Sequence, residues 1–436
     1  MKNRLVVTGV DRRESDISCR CSVEGDPAWL KCFCSKEFAL RLHYSQPIAD
    51  APPGIAVIPL ITDVLPIAWV FDAQIEVDEL DEAFLNSIPE FKRGYIDMYP
   101  KIEFKGSVSV RSAVAHAHPA EKSALFYSGG VDSTDTLIAH LAEKPALITL
   151  WGADIAWDNE AGWQPVKRLA EETAARFGLQ HYFVRSNFRK IVNEYFLTKY
   201  VSAIYSALDW WAGLQHGIAI HGHAAPLAFQ YGIGRVYIAS SCSSADVVQM
   251  PYASVPSIDN FVRFGSSAIV YDAFEFHRQR KIRNICEFVA REGIDIPLRV
   301  CYQSTGGKNC CACGKCRQTM LGILAEGGDP GRMGFEGYGD AMRRDVLRHM
   351  NWEFLEFYRR RMPPIQAHLR ERYTLETCPP DLRRFYRLRL DKGMPKPLKL
   401  YYSCKKKLLL QRQRLLRAVK RRIRRMTRAK RSENRA

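Results

Sequence analysis

The chain has 436 residues, 47% hydrophobic and 25% charged, which excludes an intrinsically disordered protein and suffices for two or three packed units. Its longest apolar stretch, residues 55–71, contains Asp63 and two prolines, and its N-terminal apolar stretch is too short for a secretory signal; we therefore expect a cytoplasmic protein. The net charge is +17 and comes mainly from residues 401–436, which contain 15 Lys and Arg and one acidic residue. The rest of the chain has a net charge of only +3.

The first 118 residues contain short apolar runs separated by breakers such as Pro52-Pro53. The clearest runs are residues 5–7, 54–60 and 107–110, and we interpret each as part of a strand. This pattern predicts a β-rich N-terminal domain over residues 1–118.

From residue 119 onwards, strand patterns alternate with helical patterns. Strands are predicted at residues 124–127, 146–151, 181–184 and 235–240, and helices at 133–142, 164–177, 208–228 and 281–292. Such alternation favours an α/β fold with a parallel sheet covered on both faces, here over residues 119–330. Helical spacing at 341–359 and 365–373 predicts a helical extension over residues 331–400.

Residues 401–436 form a basic tail in which apolar residues recur at three- and four-residue intervals. These apolar residues are Leu416, Val419, Ile423 and Met426. The spacing predicts a basic amphipathic helix. Such a helix binds RNA phosphates, an acidic partner or an anionic membrane surface, and a solvated tail has the same composition, so the sequence leaves the partner open.

A glycine-rich segment lies between the predicted strand at 124–127 and the predicted helix that follows it. Its residues are Ser128, Gly129, Gly130, Val131, Asp132, Ser133 and Thr134. At this place an α/β sheet presents backbone N–H groups and a helix N-terminus to an anion. The glycines allow a tight turn, the hydroxyls can donate to phosphate oxygens, and Asp132 is placed to assist Mg²⁺. A capped turn without a ligand is the alternative, and no Walker-type lysine motif is present.

Thirteen cysteines in a chain expected in the reducing cytosol favour metal binding over disulfides. Four of them form the pattern C-x8-C-x2-C-x2-C, namely Cys301, Cys310, Cys313 and Cys316. Tetrahedral Zn²⁺ fits four such thiolates best; an iron–sulfur cluster and unliganded core cysteines are the alternatives. Cys311 stands outside the pattern.

Two other groups of residues with metal-binding side chains are interpreted as packing residues. They are the cysteines Cys19, Cys21, Cys32 and Cys34, and the histidines His216, His221 and His223. The cysteines are expected as packed thiols of a β-structure, and the histidines as packing or hydrogen-bonding residues of a small-residue helix.

The glycine-rich segment resembles the SGGxDS signature of the PP-loop ATP pyrophosphatases, whose adenine-nucleotide α-hydrolase-like (HUP) fold it implies. With the cysteine pattern, residues 120–330 are similar to the 7-cyano-7-deazaguanine synthase family. The resemblance implies an ATP- and Mg²⁺-dependent ligase that activates a purine-like carboxylate as an adenylate, releases pyrophosphate and lets ammonia or an amine displace AMP. It also implies that residues 128–134 bind ATP and that the four spaced cysteines bind Zn²⁺.

Three further site residues are expected from their positions. Lys281 and Arg278 lie in a segment that resembles a late basic motif of that family, which implies that they hold the phosphates; a solvated helix start is the alternative. Gly152 follows the predicted strand at 146–151, where adenine and ribose would lie in this fold. Asp132, Ser133 and Lys281 are the predicted catalytic residues.

The family's substrate motifs, Pro-x-Arg-Asn and Tyr-Pro-Asp, are absent, and residues 210–217 and 240–244 stand in their places. A different substrate pocket is therefore expected. Three other functions stay open: a PP-loop enzyme that transfers sulfur or an amine to transfer RNA, a conjugating relative from an anti-phage defence cluster, and a non-enzymatic RNA- or partner-binding module. A homodimer is also left open.

Overall fold

Strands from both halves of the chain join one mixed, mostly parallel sheet of eleven strands. The strands are β1 Arg4–Arg13, β2 Asp16–Glu24, β3 Glu37–Tyr44, β4 Gln74–Asp81, β5 Ser107–Val114, β6 Lys122–Phe126, β7 Ala146–Trp151, β8 His181–Ser186, β9 Ile233–Ala239, β10 Arg263–Phe264 and β11 Ser267–Asp272. Their order across the sheet is β10-β11-β9-β6-β7-β8-β3-β2-β1-β4-β5.

The computed structural model describes residues 2–206, 208–247, 251–301, 306–348 and 361–390, and residues 397, 400, 401, 403, 404, 408 and 411. It consists of two compact units, Met1–Gly339 and Asp340–Ala436. The helices of the first unit are α1 Pro27–Leu30, α2 Pro53–Ala56, α3 Ile58–Val70, α4 Glu82–Met98, α5 Val131–Ala139, α6 Glu160–Phe177, α7 Phe188–Ile191, α8 Glu194–Ile204, α9 His216–His221, α10 Ala225–Tyr231, α11 Ser244–Val247, α12 Pro256–Asp259, α13 Arg278–Glu292 and α14 Gly314–Ala325.

Strands β6 to β9 and β11 form one parallel part of the sheet, and β1, β4 and β5 form another. The apolar runs of the first part are covered on both faces, as parallel strands require. Leu125 and Leu147 pack with residues of α5 and α6 on one face, whereas Phe126 and Ile148 join the main core on the other. The strand predictions for this region are confirmed. We attribute this success to the continuous buried runs, which carry a strong sequence signal.

The chain order of these strands creates a crevice. From β6 the chain passes outward to β7 and β8, and it then returns across the sheet to β9, on the opposite side of β6. The connections after β6 and β9 therefore diverge. In open α/β sheets, ligands bind at the carboxyl ends of the strands at such a switch point.

Residues 1–118 continue the same sheet. Strand β3 pairs antiparallel with β8, with Leu42 opposite Ser186 and Tyr44 opposite Val184. Helix α3 is buried from Ile58 to Trp69 and belongs to the same hydrophobic core as the parallel strands. The boundary predicted at residue 118 thus falls inside one sheet and one core.

The strand predicted at residues 54–60 is wrong, because these residues lie in α2 and at the start of α3. The run is apolar on every side, so its periodicity does not distinguish a buried strand from a buried helix. Pro59, in the first turn of α3, needs no backbone N–H there and suits a helix start.

The helix predicted at 208–228 is interrupted. A π-helical turn at Trp211–Gln215 leads into α9, and a 3₁₀ turn at Gly222–Ala224 separates α9 from α10. The completely buried Gln215 stabilises this turn: its amide donates to the Asp63 carboxyl at 2.6 Å and accepts from the Trp210 indole at 2.8 Å. Helix α3 therefore anchors the π-helical turn.

The second unit contains the helices Asp340–Arg348, Met362–Arg372 and Arg383–Arg387 among its described residues. Arg343 pairs with Asp381, and Gln366 donates to the carbonyl of Phe385 at 2.5 Å. The remainder of the predicted helix at 341–359 and the predicted amphipathic helix at 416–426 lie outside the described residues. Among the described helices, none combines the length and apolar character needed to cross a membrane.

Replacing Gln215 by leucine should lower the free energy of unfolding by about 3 kcal/mol, because it removes the partner of a buried indole N–H and a buried carboxyl. Equilibrium urea denaturation measures this change. Gln164→Leu, the same substitution at an exposed position of α6, should change stability by less than about 0.5 kcal/mol. Equal effects of the two substitutions would contradict the anchoring role of Gln215.

Candidate functional site

The glycine-rich segment lies at the switch point, between the end of β6 and the start of α5. Gly129 adopts φ +71°, in the left-handed region that favours glycine, and a Cβ there would meet the side chain of Leu169 at 2.6 Å. The Ser128 hydroxyl lies 3.2 Å from that of Ser133 and accepts from the N–H of Gly130 at 3.3 Å. These contacts hold the turn in a fixed shape before any ligand binds.

The predicted loop residues divide by exposure. Val131 and Thr134 are buried at the base of α5, and Ser133 is also largely buried and accepts from the Ser128 N–H at 3.3 Å. Ser128, Gly130 and Asp132 are more exposed and lie towards the crevice side of the turn. The first turn of α5 adds the positive end of a helix dipole.

Two basic residues at the start of α13 converge on Asp132. Arg278 donates to one carboxylate oxygen at 2.8 Å, and the Lys281 ammonium lies 3.8 Å from the other. Lys281 is only 1% exposed and donates to both the carbonyl and the hydroxyl of Ser240 at 2.6 Å. Ser240 directly follows β9, and Asp132 lies at the start of α5. Lys281 therefore connects the two chain segments that diverge at the switch point.

A second carboxylate, Asp135, lies one helical turn beyond Asp132 and was not predicted from the sequence. Its side chain is buried and accepts from Asn284 at 2.9 Å. Burial raises the pKa of Asp135 to about 6, against the opposing effects of Asn284 and Lys281. Its i+3 spacing from Asp132 was a signal in the sequence, but nothing there indicated its burial.

Arg299 is another residue that the sequence did not single out. Its backbone N–H donates to the carbonyl of Gly129 at 2.6 Å, and its guanidinium donates to the carbonyl of Ser128 at 3.3 Å. The guanidinium also lies 3.4 Å from the carboxylate of Asp154, beyond the end of β7. Arg299 therefore spans the ends of two adjacent strands in front of the glycine-rich turn.

Gly152 lies directly after β7, as predicted, with φ +128°. A Cβ at this position would lie 2.0 Å from the carbonyl oxygen of Ser186, at the end of β8. Close approach of two strand ends therefore requires glycine here whether or not a nucleotide lies nearby.

Aromatic side chains surround the π-helical turn at Trp211–Gln215. The rings of Trp211 and His216 are 5.1 Å apart, and the Tyr252 hydroxyl lies 3.2 Å from His216 Nδ1. The guanidinium carbon of Arg189 lies 4.3 Å from the centre of the Trp211 ring, and the guanidinium donates to the carbonyl of Ala153, next to Gly152. Burial lowers the pKa of His216 to about 4, which leaves its imidazole neutral at physiological pH.

The other two histidines of this segment are completely buried. His223 lies 2.7 Å from the Ala219 carbonyl and 2.9 Å from the Ser186 hydroxyl, and burial lowers its pKa to about 4. His221 lies 3.7 Å from the carboxylate of Asp259. The interpretation of His223 as a hydrogen-bonding core residue is confirmed.

The four spaced cysteines converge on one point, where their sulfur atoms all lie within 4.8 Å of one another. The Sγ of Cys313 is 3.5 Å from that of Cys316 and 3.9 Å from that of Cys301, and the Sγ of Cys310 is 4.0 Å from that of Cys316. Four thiolates at tetrahedral Zn–S bonds of about 2.3 Å would lie about 3.8 Å apart. This cluster can therefore hold a metal ion such as zinc.

Local structure orients these thiols. Cys313 caps α14, and its sulfur accepts from the backbone N–H of Cys316; the sulfur of Cys310 accepts in turn from the N–H of Cys313. Burial raises the pKa of Cys313 and of Cys316, an effect that the charge of a bound cation offsets. Cys311 adopts φ +56° and its sulfur contacts the Asn309 carbonyl, apart from the cluster.

No protein-family model matches this chain, and comparisons with curated proteins and with solved structures find no match. The function must therefore be argued from the chemistry of the site itself.

From the cysteine cluster we expect about one tightly bound zinc ion per chain. Plasma mass spectrometry of protein purified under reducing conditions measures this ratio. Cys313→Ser should lose most of this metal, because Cys313 contacts two other sulfurs of the cluster. Cys311→Ser, two residues away, should retain it. Equal loss in both variants would contradict the assignment of the four ligands.

Asp135 predicts a pH-dependent stability. Because its folded pKa of about 6 exceeds its ordinary 3.8, its favourable contribution is complete below about pH 4 and is lost as pH rises through 6. The free energy of unfolding of Asp135→Asn should therefore exceed that of the wild type by up to about 3 kcal/mol at pH 7.5. At pH 4 the two values should be equal. Urea denaturation in magnesium-free buffer tests this, with exposed Asp158→Asn as the unaffected control.

Proposed function

We propose that the chain is an ATP- and Mg²⁺-dependent ligase of the PP-loop class, with the HUP-type arrangement in its parallel sheet. The observation that carries the proposal is the position of the Ser128–Ser133 turn at the switch point, where Arg278 and Lys281 converge on Asp132. A phosphate chain requires this combination of backbone N–H groups, a helix N-terminus and fixed cations.

The two cations have different partners and different shapes, and we propose different roles for them. Lys281 is fixed by two hydrogen bonds to Ser240, so its ammonium is already placed for a phosphate oxygen without reorganisation. Arg278 presents a planar guanidinium suited to two oxygens of one phosphate. Asp132 would hold Mg²⁺, which supplies neutralising charge to the phosphates when bound.

In the proposed first step, a carboxylate oxygen of the substrate attacks the α-phosphorus of ATP. The bond from that phosphorus to the bridging oxygen breaks, and pyrophosphate leaves with its charge stabilised by Lys281 and Arg278. In the second step, the nitrogen of ammonia or an amine attacks the acyl carbon, AMP leaves, and the nitrogen loses a proton. The chain supplies positioning and charge rather than a nucleophile.

The aromatic group of Trp211, His216 and Tyr252 is the proposed binding site for the carboxylate substrate. Flat rings and the neutral imidazole suit a planar, purine-like carboxylate, and the proton that the attacking amine loses passes to solvent. The residues differ from those of the deazaguanine synthases. The substrate is therefore proposed only as a planar, purine-like carboxylate.

Zinc is the proposed metal of the cysteine cluster, with a structural role. Three of the sulfur separations are 3.5–4.0 Å and all four sulfurs lie within 4.8 Å of one another, which suits one ion at their centre. A four-iron cluster, by contrast, would place each thiolate on a separate iron and hold the sulfurs further apart.

Purified full-length protein, incubated with Mg²⁺-ATP, 7-carboxy-7-deazaguanine and ammonia, should yield AMP, pyrophosphate and a new amide or nitrile by mass spectrometry. Lys281→Met should lower kcat/KM at least about 100-fold, because it removes a preorganised charge. Exposed Lys36→Met should leave the rate unchanged.

Other outcomes separate the alternative functions. AMP that forms only after transfer RNA is added would favour the RNA-modifying enzyme, and AMP that forms only with a protein amine would favour a conjugating enzyme. Absence of AMP with every acceptor would contradict the ligase and leave a binding module.

A further inference from the structure

The segment 298–301 connects the cysteine cluster to the glycine-rich turn. The backbone N–H of Arg299 donates to the carbonyl of Gly129 at 2.6 Å, whereas that of Leu298 donates to the carbonyl of Met333 at 3.0 Å and that of Val300 to the side chain of Asn309 at 2.9 Å. Cys301, a cluster ligand, follows Arg299 by only two residues. One short segment therefore carries both a contact to the turn and a ligand of the cluster.

Asn309 fixes this segment from the other side. Its side-chain oxygen accepts from the N–H groups of Val300 and Cys301, and its amide nitrogen donates to the carbonyls of Leu298 and Gly334 at 2.7 and 2.9 Å. Asn309 itself precedes Cys310, a second cluster ligand. Residues 294–301 belong to no helix or strand. They are held by these side-chain bonds, by the backbone bonds of Leu298 and Arg299, and by the burial of Leu298 and Val300.

The Arg299 guanidinium occupies the place where an anion would meet the turn. Its side chain is 9% exposed and lies against the carbonyl of Ser128, while its ion-pair partner Asp154 is 68% exposed and 3.4 Å away. A long ion pair to an exposed carboxylate contributes little and can be exchanged for a phosphate. Arginine offers several donors in a plane and suits that exchange.

We propose that Arg299 binds the phosphates of the nucleotide and that the metal in the cysteine cluster holds it in position, so that metal binding and nucleotide binding strengthen each other. This inference rests on the proposed function, because it requires a nucleotide at the turn. Without the metal, the segment 298–301 loses the cross-link from Cys301 to residues 310–316, and Arg299 loses its fixed position. The cluster then tunes the nucleotide site as well as stabilising the fold.

Nucleotide affinity tests the part played by Arg299. Titration calorimetry of the metal-loaded full chain with a non-hydrolysable ATP analogue and Mg²⁺ should show affinity at least about tenfold weaker for Arg299→Ala and an intermediate loss for Arg299→Lys. Arg291→Ala, an arginine that is 66% exposed on α13, should bind like the wild type. Wild-type affinity in Arg299→Ala would overturn the proposal.

Metal affinity tests the coupling, because linkage requires each ligand to strengthen the other by the same factor. Competition with a zinc-selective chelator should show wild-type zinc affinity rising about tenfold when the ATP analogue is present, within the usual range of such couplings. Arg299→Ala should match the wild type without nucleotide and show no rise with it. An unresponsive wild type that still binds the analogue would overturn the coupling alone, whereas a wild type that binds no nucleotide would contradict the proposed function itself.

Discussion

The buried ammonium of Lys281 is the interaction on which the site depends. It joins the end of β9, through Ser240, to the start of α5, through Asp132, and so fixes the two connections that diverge at the switch point. A charge buried at 1% exposure is stable only with such partners. Those partners are the carbonyl and hydroxyl of Ser240 and the carboxylate of Asp132, and they hold the lysine beside the glycine-rich turn.

The surrounding framework gives this arrangement its rigidity. The N-terminal strands extend the sheet through the pairing of β3 with β8, and α3 reaches across to hold the π-helical turn through Asp63 and Gln215. The π-helical turn at Trp211–Gln215 is therefore supported by a part of the chain about 150 residues earlier.

Sequence reasoning succeeded where a residue's role follows from its neighbours along the chain. The strand, turn and helix around residues 128–134 were placed correctly, and the C-x8-C-x2-C-x2-C spacing located four sulfurs that do converge. It failed at residues 54–60, where an all-apolar run carries no periodicity. It also missed Asp135 and Arg299, whose significance comes from burial and from contacts across 145 residues or more.

The sequence by itself determined the short-range chemistry of this protein: the glycine turn, the spaced thiols and the alternation that makes an α/β sheet. These depend on backbone conformation and local spacing, which a few adjacent residues decide. Only the tertiary structure decided that residues 1–118 share one core with the parallel strands, that Lys281 and Arg278 meet Asp132, and that Arg299 links the cysteine cluster to the turn. Those outcomes depend on strand order and on long-range packing, for which one sequence carries no local signal.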